Sequence, residues 1–213
     1  MYTHELIRVK RRHDLECDDV SAIWLECGLP HQKSTIVCMA YRQWRLLGQS
    51  DEKSARVSEQ LARWSKFLQK WEAAINEGKE VIVMLDANLD HLTWGNTDSL
   101  HSSHSSVRLR DLIDLLFDKI IPLGVSQLVK VATRYESGKP VSGLDHVYTN
   151  KPDKLSPVQT YFTGLSDHKM LKVTRYSKSF KHLPRYVRKR VFKDFDENLF
   201  IEKISDCGFD KIF

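Results

Sequence analysis

Residues 80–86 read Glu-Val-Ile-Val-Met-Leu-Asp, and no segment of the chain constrains its fold more. Five consecutive apolar side chains point alternately to both sides of an extended strand, so both sides must be covered by other layers. The run is too short for a membrane span and ends on an acid, Asp86. It predicts a central buried strand that empties into a polar loop.

The flanking patterns fit the same layered plan. Val57, Leu61, Trp64, Leu68, Trp71 and Ile75 recur at alternating steps of four and three, which predicts an amphipathic helix over about 50–77, with Gly78 as its stop. On such a stripe the two tryptophans are core rather than a ligand box. Upstream, 20–27 and 34–41 are short apolar runs separated by Gly28, Pro30 and polar residues, a strand–turn–strand signal. Downstream, 107–120 is a second helical stripe built on Leu109, Leu112, Ile113, Leu116 and Ile120, with Asp111, Asp114 and Asp118 on a solvated face. Residues 143–149, 157–163 and 169–175 are further strand candidates, and Asp196 caps a short helix near 196–206. Strands and helices mixed without strict alternation predict an α/β or α+β sandwich. Loop 89–106 contains His101 and His104, but without Cys or Glu at ligand spacing they form a poor metal motif.

Charge divides the chain near residue 176. Ten Lys or Arg and no acid lie between Lys169 and Lys193, leaving 23 basic against 28 acidic residues elsewhere, a net −5. Tyr176, Phe180, Tyr186 and Phe192 interleave the basic stretch, so it suits a polyanion backbone as well as it suits a solvated linker. No apolar run reaches eighteen residues and the first twenty are polar, which predicts neither membrane insertion nor export. The expected location is nuclear or cytoplasmic. Cys17, Cys27, Cys38 and Cys207 form no CxxC spacing and predict no disulfide framework.

Three polar clusters stand at strand ends: Asp86-Ala87-Asn88, Asp145-His146 and Asp167-His168. A carboxylate beside an apolar strand is costly unless a cation or imidazole meets it, and three such places in one chain point to hydrolysis. Cleaving a phosphodiester needs a base for water, for which Asp86 is a candidate, and Asn88 lies two residues on to orient that water. A donor such as His168 would meet the charge that develops on the phosphate. Asp145 would fix the imidazole's tautomer, and Asp167 suits a hard cation such as Mg²⁺.

The segments VIVMLDANLD, GLDHVYTN and GLSDHKML resemble, in order and spacing, the GDFN, DH and SDH motifs of the endonuclease/exonuclease/phosphatase superfamily. Tyr41-Arg42 resembles its YRP segment, and DLECDDVSAIWLE, ATRYESG, LDHVYTNKPDKLSPV and RYVRKRVFKDFD resemble the endonuclease region of non-LTR retrotransposon polyproteins. The resemblance covers about residues 7–205 and implies an α/β fold, an incomplete four-layer DNase I-like sandwich lacking its first strands, with a basic C-terminal extension. It implies a partial domain over 1–176 and a linker with a short helix over 177–213. Implied roles are Asp86 as base with Asn88 as its partner, His168 on phosphate, Asp145 orienting it, and Asp167 at the metal. Tyr41 and Thr133 are implied as substrate contacts. The implied cofactor is Mg²⁺ or Mn²⁺, the implied partner DNA, the expected state a monomer. A reverse transcriptase domain follows in the resembling polyproteins, and none is expected within residues 1–213.

The departures are Leu85 and Ala87 for the Gly and Phe of GDFN, and Gln43 for the proline of YRP. The segment that would carry an Asn and a metal-binding Glu is expected to be missing, and Glu5, Glu16 and Glu26 lie in no motif resembling it. Missing strands would also leave a sheet edge unpaired. The expected activity is Mg²⁺-dependent DNA nicking. The alternatives are a remnant that only binds nucleic acid and a phosphoesterase acting on inositol phosphates or lipids.

Overall fold

In the computed structural model, residues 7–18, 20–28, 32–43, 50–90, 107–176, 193 and 195–206 are described. Contacts divide the chain into two units, Met1–Ser177 and Lys178–Phe213.

The apolar run forms β4 (Glu80–Asp86), in the interior of a sheet. With β1 (Arg8–Arg11), β2 (Ser21–Gly28), β3 (Thr35–Tyr41), β5 (Ser126–Gln127) and β8 (Asp145–Thr149), the order is β1-β2-β3-β4-β8-β5. β3 and β4 are parallel, joined through helix α1 (Ser50–Asn76), while β2–β3 and β4–β8 are antiparallel. Gly78 takes φ +70° just past α1, a left-handed conformation that a side chain would strain, and its N–H closes on the Ile75 carbonyl.

Alternation along β4 feeds two cores. Val81, Val83 and Leu85 join Trp24, Ile36 and Cys38 in the larger one. There they meet Trp64, Phe67, Leu68 and Trp71 of α1, and Leu112 and Leu116 of α2 (Val107–Lys119). Trp64 stacks on Phe67 at 5.4 Å and donates its indole N–H to the Leu112 carbonyl, tying the helices together. Ile82 and Met84 face the other way, into a smaller cluster with Val129, Val147, Leu155, Leu171 and Val173. This second layer contains two small antiparallel pairs, β6 (Arg134–Glu136) with β7 (Lys139–Ser142), and β9 (Gln159–Tyr161) with β10 (Met170–Lys172). On the same sheet face as Met84, Met39 and Ile23 are 39% and 46% exposed.

The strands read at 157–163 and 169–175 are shorter than expected, three residues each, because Pro157 and the 162–169 loop interrupt the ladder. β1, the two-residue β5 and the β6–β7 hairpin fall outside the expected strands. β1 lies at the sheet edge among the described residues and is exposed along its length, so its Arg-Val-Lys-Arg sequence lacks the apolar alternation that marks half-buried strands. Cys38 is core, while Cys17 and Cys27 are only half-buried. Glu80, with a side chain 3% exposed, receives both Arg175 Nε and Nη2 at 2.9 and 2.8 Å and Lys154 at 3.3 Å. That pairing holds the end of the second layer onto β4.

In the C-terminal unit, α3 (Glu197–Asp206) begins as expected, with Asp196 Oδ1 accepting the Leu199 N–H at 3.0 Å. Phe195 packs on Phe200 across the cap, a hydrophobic staple. His101, His104 and most of the basic stretch lie outside the described residues.

Candidate functional site

Tyr41, Asp86 and Asp145 sit in one row across β3, β4 and β8, each the register partner of the next. The row is the carboxyl end of β3 and β4, where both strands must leave the sheet. Here the chain is locked by backbone bonds: Arg42 N–H to the Asp86 carbonyl and Ala87 N–H to the Leu144 carbonyl, both 2.9 Å. Asn88 then turns with φ +49°, a conformation Asn tolerates better than most residues, and its N–H reaches Asp86 Oδ1 at 3.3 Å.

His168 arrives from the second layer through a bridge to Arg134. Its Nδ1 donates to Asp145 Oδ2 at 2.8 Å, which leaves Nε2 as the nitrogen that can meet a phosphate oxygen. One ligand atom each from Asp86, Asp145 and His168 lies within 4.8 Å of the others, and all three residues are half-buried. Burial, and next the charge of Asp145, raise the Asp86 carboxyl above the ordinary aspartate range, against the opposing pull of the Asn88 amide, His168 and Arg42. A group so raised is a better proton acceptor once ionised.

This donor set fits a divalent cation. Two carboxylates that repel one another across a few ångströms are relieved by positive charge, and oxygen donors suit Mg²⁺ or Mn²⁺. Asp86 and Asp145 are the residues that would hold it.

The other expected residues are placed differently. Asp167 is exposed and bonded to Arg134 Nε at 2.9 Å, which holds its carboxyl below the usual range, and it is not one of the clustered ligands. Asn88 is at the site, but its side-chain amide donates to the Arg42 carbonyl at 2.8 Å, so part of its hydrogen-bonding capacity goes to the turn. Tyr41, 46% exposed, stands at the rim. Thr133 is fully buried, and its Oγ1 accepts the N–H groups of Leu144 and Asp145, both at 3.1 Å. In this structure it supports the segment entering Asp145 instead of meeting the open cleft. Glu16 pairs with Arg11, and Glu26 pairs with Lys79, Arg12 and Ser34 toward the opposite end of β2. Glu5 lies outside the described residues.

Two supporting residues escaped the sequence reading. Arg42 is buried, with its guanidinium donating to the carbonyls of Ala87 and Asn88, and burial pushes it down to about 10. His146, also buried, bonds the Leu89 carbonyl and the Tyr148 hydroxyl, both at 2.8 Å, and so fixes the far side of the same turn. The signal for Arg42 was present in the Tyr41-Arg42 pair: a cation ending an apolar strand needs acceptors nearby.

A pair of carboxylates and a carboxylate-held imidazole are thus gathered at one end of an α/β sheet. The endonuclease-reverse transcriptase family profile matches residues 55–172, more than half of the chain, and spans all three clustered residues. The chain belongs to that family, within the endonuclease/exonuclease/phosphatase superfamily of nucleases and phosphoesterases. No curated protein matches the sequence. Similar solved structures include the endonuclease domain of TRAS1, a telomere-specific non-LTR retrotransposon, at 16% identity and TM-score 0.49, with 79% of this chain and 67% of that one covered. An AP endonuclease from Archaeoglobus fulgidus aligns at 10% identity and TM-score 0.49, over 71% of this chain and 64% of that one. A 3'-5' exonuclease from Neisseria meningitidis aligns at 14% and 0.47, over 71% and 64%. The chain thus spans about two thirds of the length of these structures.

Proposed function

We propose that this chain is a divalent-metal-dependent phosphodiesterase that hydrolyses DNA, an endonuclease of the non-LTR retrotransposon type. The observation that carries the proposal is the gathering of Asp86, Asp145 and His168 within 4.8 Å at one end of the sheet. Residues 1–176 are the catalytic unit in this reading, and 177–213 a basic linker.

Asp86, at the end of β4 beside Asp145, takes the proton of the attacking water. Asp145 holds His168 by Nδ1, so that Nε2 is the nitrogen aimed at the phosphate, where an imidazolium would donate to a phosphate oxygen. The Arg42 bonds to the Ala87 and Asn88 carbonyls keep the Asp86 turn in place. Mg²⁺ held by Asp86 and Asp145 would supply Lewis-acid stabilisation of the charged phosphate. Tyr41, exposed beside Asp86 in register, is positioned to touch the substrate.

The substrate class is tested by incubating the protein with Mg²⁺ and either an end-labelled DNA duplex or a soluble inositol phosphate. The proposal predicts strand cleavage and no release of orthophosphate. Turnover of the inositol phosphate with intact DNA would assign the site to phosphomonoester chemistry instead.

A further inference from the structure

Beside His168, Lys169 stands in a cluster with two aromatic rings. Its Nζ donates to the Tyr135 hydroxyl at 2.9 Å and lies over two rings, 4.2 Å from the centre of Tyr135 and 4.4 Å from that of Phe162. The rings meet edge-on, 4.9 Å apart. Lys169 is half-buried, and no carboxylate among the described residues pairs with it. It lines the same open cleft, about 280 Å³, as Asp86 and Asp145. Phe162 keeps 65% of its surface exposed although it packs on both partners. An ammonium held by ring faces and one hydroxyl, with no carboxylate paired to it among the described residues, is placed to meet an anion. An exposed ring next to it offers a surface to a flat apolar group.

The geometry points to a subsite for the nucleotide flanking the cleaved bond: Lys169 takes the neighbouring phosphate and Phe162 stacks on the attached base. The inference rests on the phosphodiesterase reading above and adds to it the contacts that would hold the flanking nucleotide, a subsite that a compound with a single small phosphoester would leave empty. The backbone ties support a fixed spacing between subsite and site. Lys169 N–H donates to the Thr133 carbonyl at 2.7 Å and Tyr135 N–H to the Asp167 carbonyl at 2.8 Å, so the cluster and His168 move as one piece.

The test is fluorescence anisotropy of a labelled DNA duplex in EDTA, which withholds the metal from the proposed reaction, from about 50 to 200 mM KCl. Wild type, Lys169→Met, Lys169→Arg and Phe162→Ala are compared, each with its melting curve. Loss of one phosphate contact lowers the slope of log K against log salt by about 0.9 in Lys169→Met, while Lys169→Arg retains it. Phe162→Ala, a change at an exposed side chain, weakens binding roughly five- to hundredfold with the slope unchanged. A slope unmoved by Lys169→Met, or binding unmoved by Phe162→Ala, overturns the subsite even if the protein nicks DNA through Asp86 and His168. The expected slope change in a protein that cleaves nothing keeps the subsite and overturns the catalytic reading. Absence of DNA binding by wild type overturns both.

Discussion

Thr133→Val tests whether the segment entering Asp145 is held by a single buried hydroxyl. Valine matches threonine in shape, so packing around this fully buried position is kept while the acceptor is lost. Two backbone N–H groups, those of Leu144 and Asp145, lose their shared partner. A buried donor left unsatisfied costs about 1–3 kcal/mol. Both bonds are 3.1 Å long and share one oxygen, so each is weaker than a lone bond and the lower half of the sum applies, about 2–4 kcal/mol. For a domain of this size that lowers Tm by roughly 4–16 °C. Thr133→Ser keeps the oxygen and loses only a methyl, about 1 kcal/mol. Urea unfolding followed by the fluorescence of buried Trp24, Trp64 and Trp71 measures both variants. Thr133→Val within about 0.5 kcal/mol of wild type, the scatter of neutral substitutions, would refute the reasoning. It would mean that the two amides find other acceptors.

Further outcomes follow from the charges. Asp86 is raised in the folded state, so its ionised form disfavours folding. That cost is absent below the ordinary aspartate pKa of about 4 and complete only above the raised folded value. Asp86→Asn should therefore raise the metal-free Tm at neutral pH, with the gain vanishing as pH falls toward about 4 and shrinking when Mg²⁺ is added. An equal Tm difference at both pH values would contradict the assigned cause. Arg175→Ala strips the bidentate partner from buried Glu80 and should destabilise by about 3 kcal/mol in urea titration. Adding Glu80→Gln to it should restore part of the loss, and a loss unaffected by the second change would show that the Arg175 stem, not its charge, matters. Arg42→Met removes two donors to the Asp86 turn and should slow DNA cleavage by at least about tenfold in single-turnover assays. Unchanged cleavage would show that the turn holds itself.

Much of the fold was legible because its strongest signals are periodic. The run at 80–86 had to be a strand covered on both faces, and the stripe from Leu61 to Ile75 had to be a helix packed on one side. Asp196 and Gly78 marked helix ends by chemistry that is local in sequence. β1 and the β6–β7 hairpin were illegible because edge strands and short hairpins need no apolar alternation. At the site, motif spacing pointed to Asp86, Asp145 and His168, which the fold brings together from β4, β8 and the second layer. The partition of roles was not legible. Whether an aspartate faces a cation or an arginine depends on long-range neighbours, and Arg134 lies 33 residues from Asp167. Thr133 likewise looks the same in sequence whether its hydroxyl faces substrate or backbone.

The measurement that bears most directly on the central claim is nicking of supercoiled plasmid by wild type and His168→Ala, each with Mg²⁺ and with EDTA. The account predicts conversion to open circles by wild type in Mg²⁺ only, with His168→Ala slower by about 100-fold or more. Nicking that persists in EDTA, or that His168→Ala leaves unchanged, would contradict it, as would a folded wild-type protein that leaves the plasmid intact.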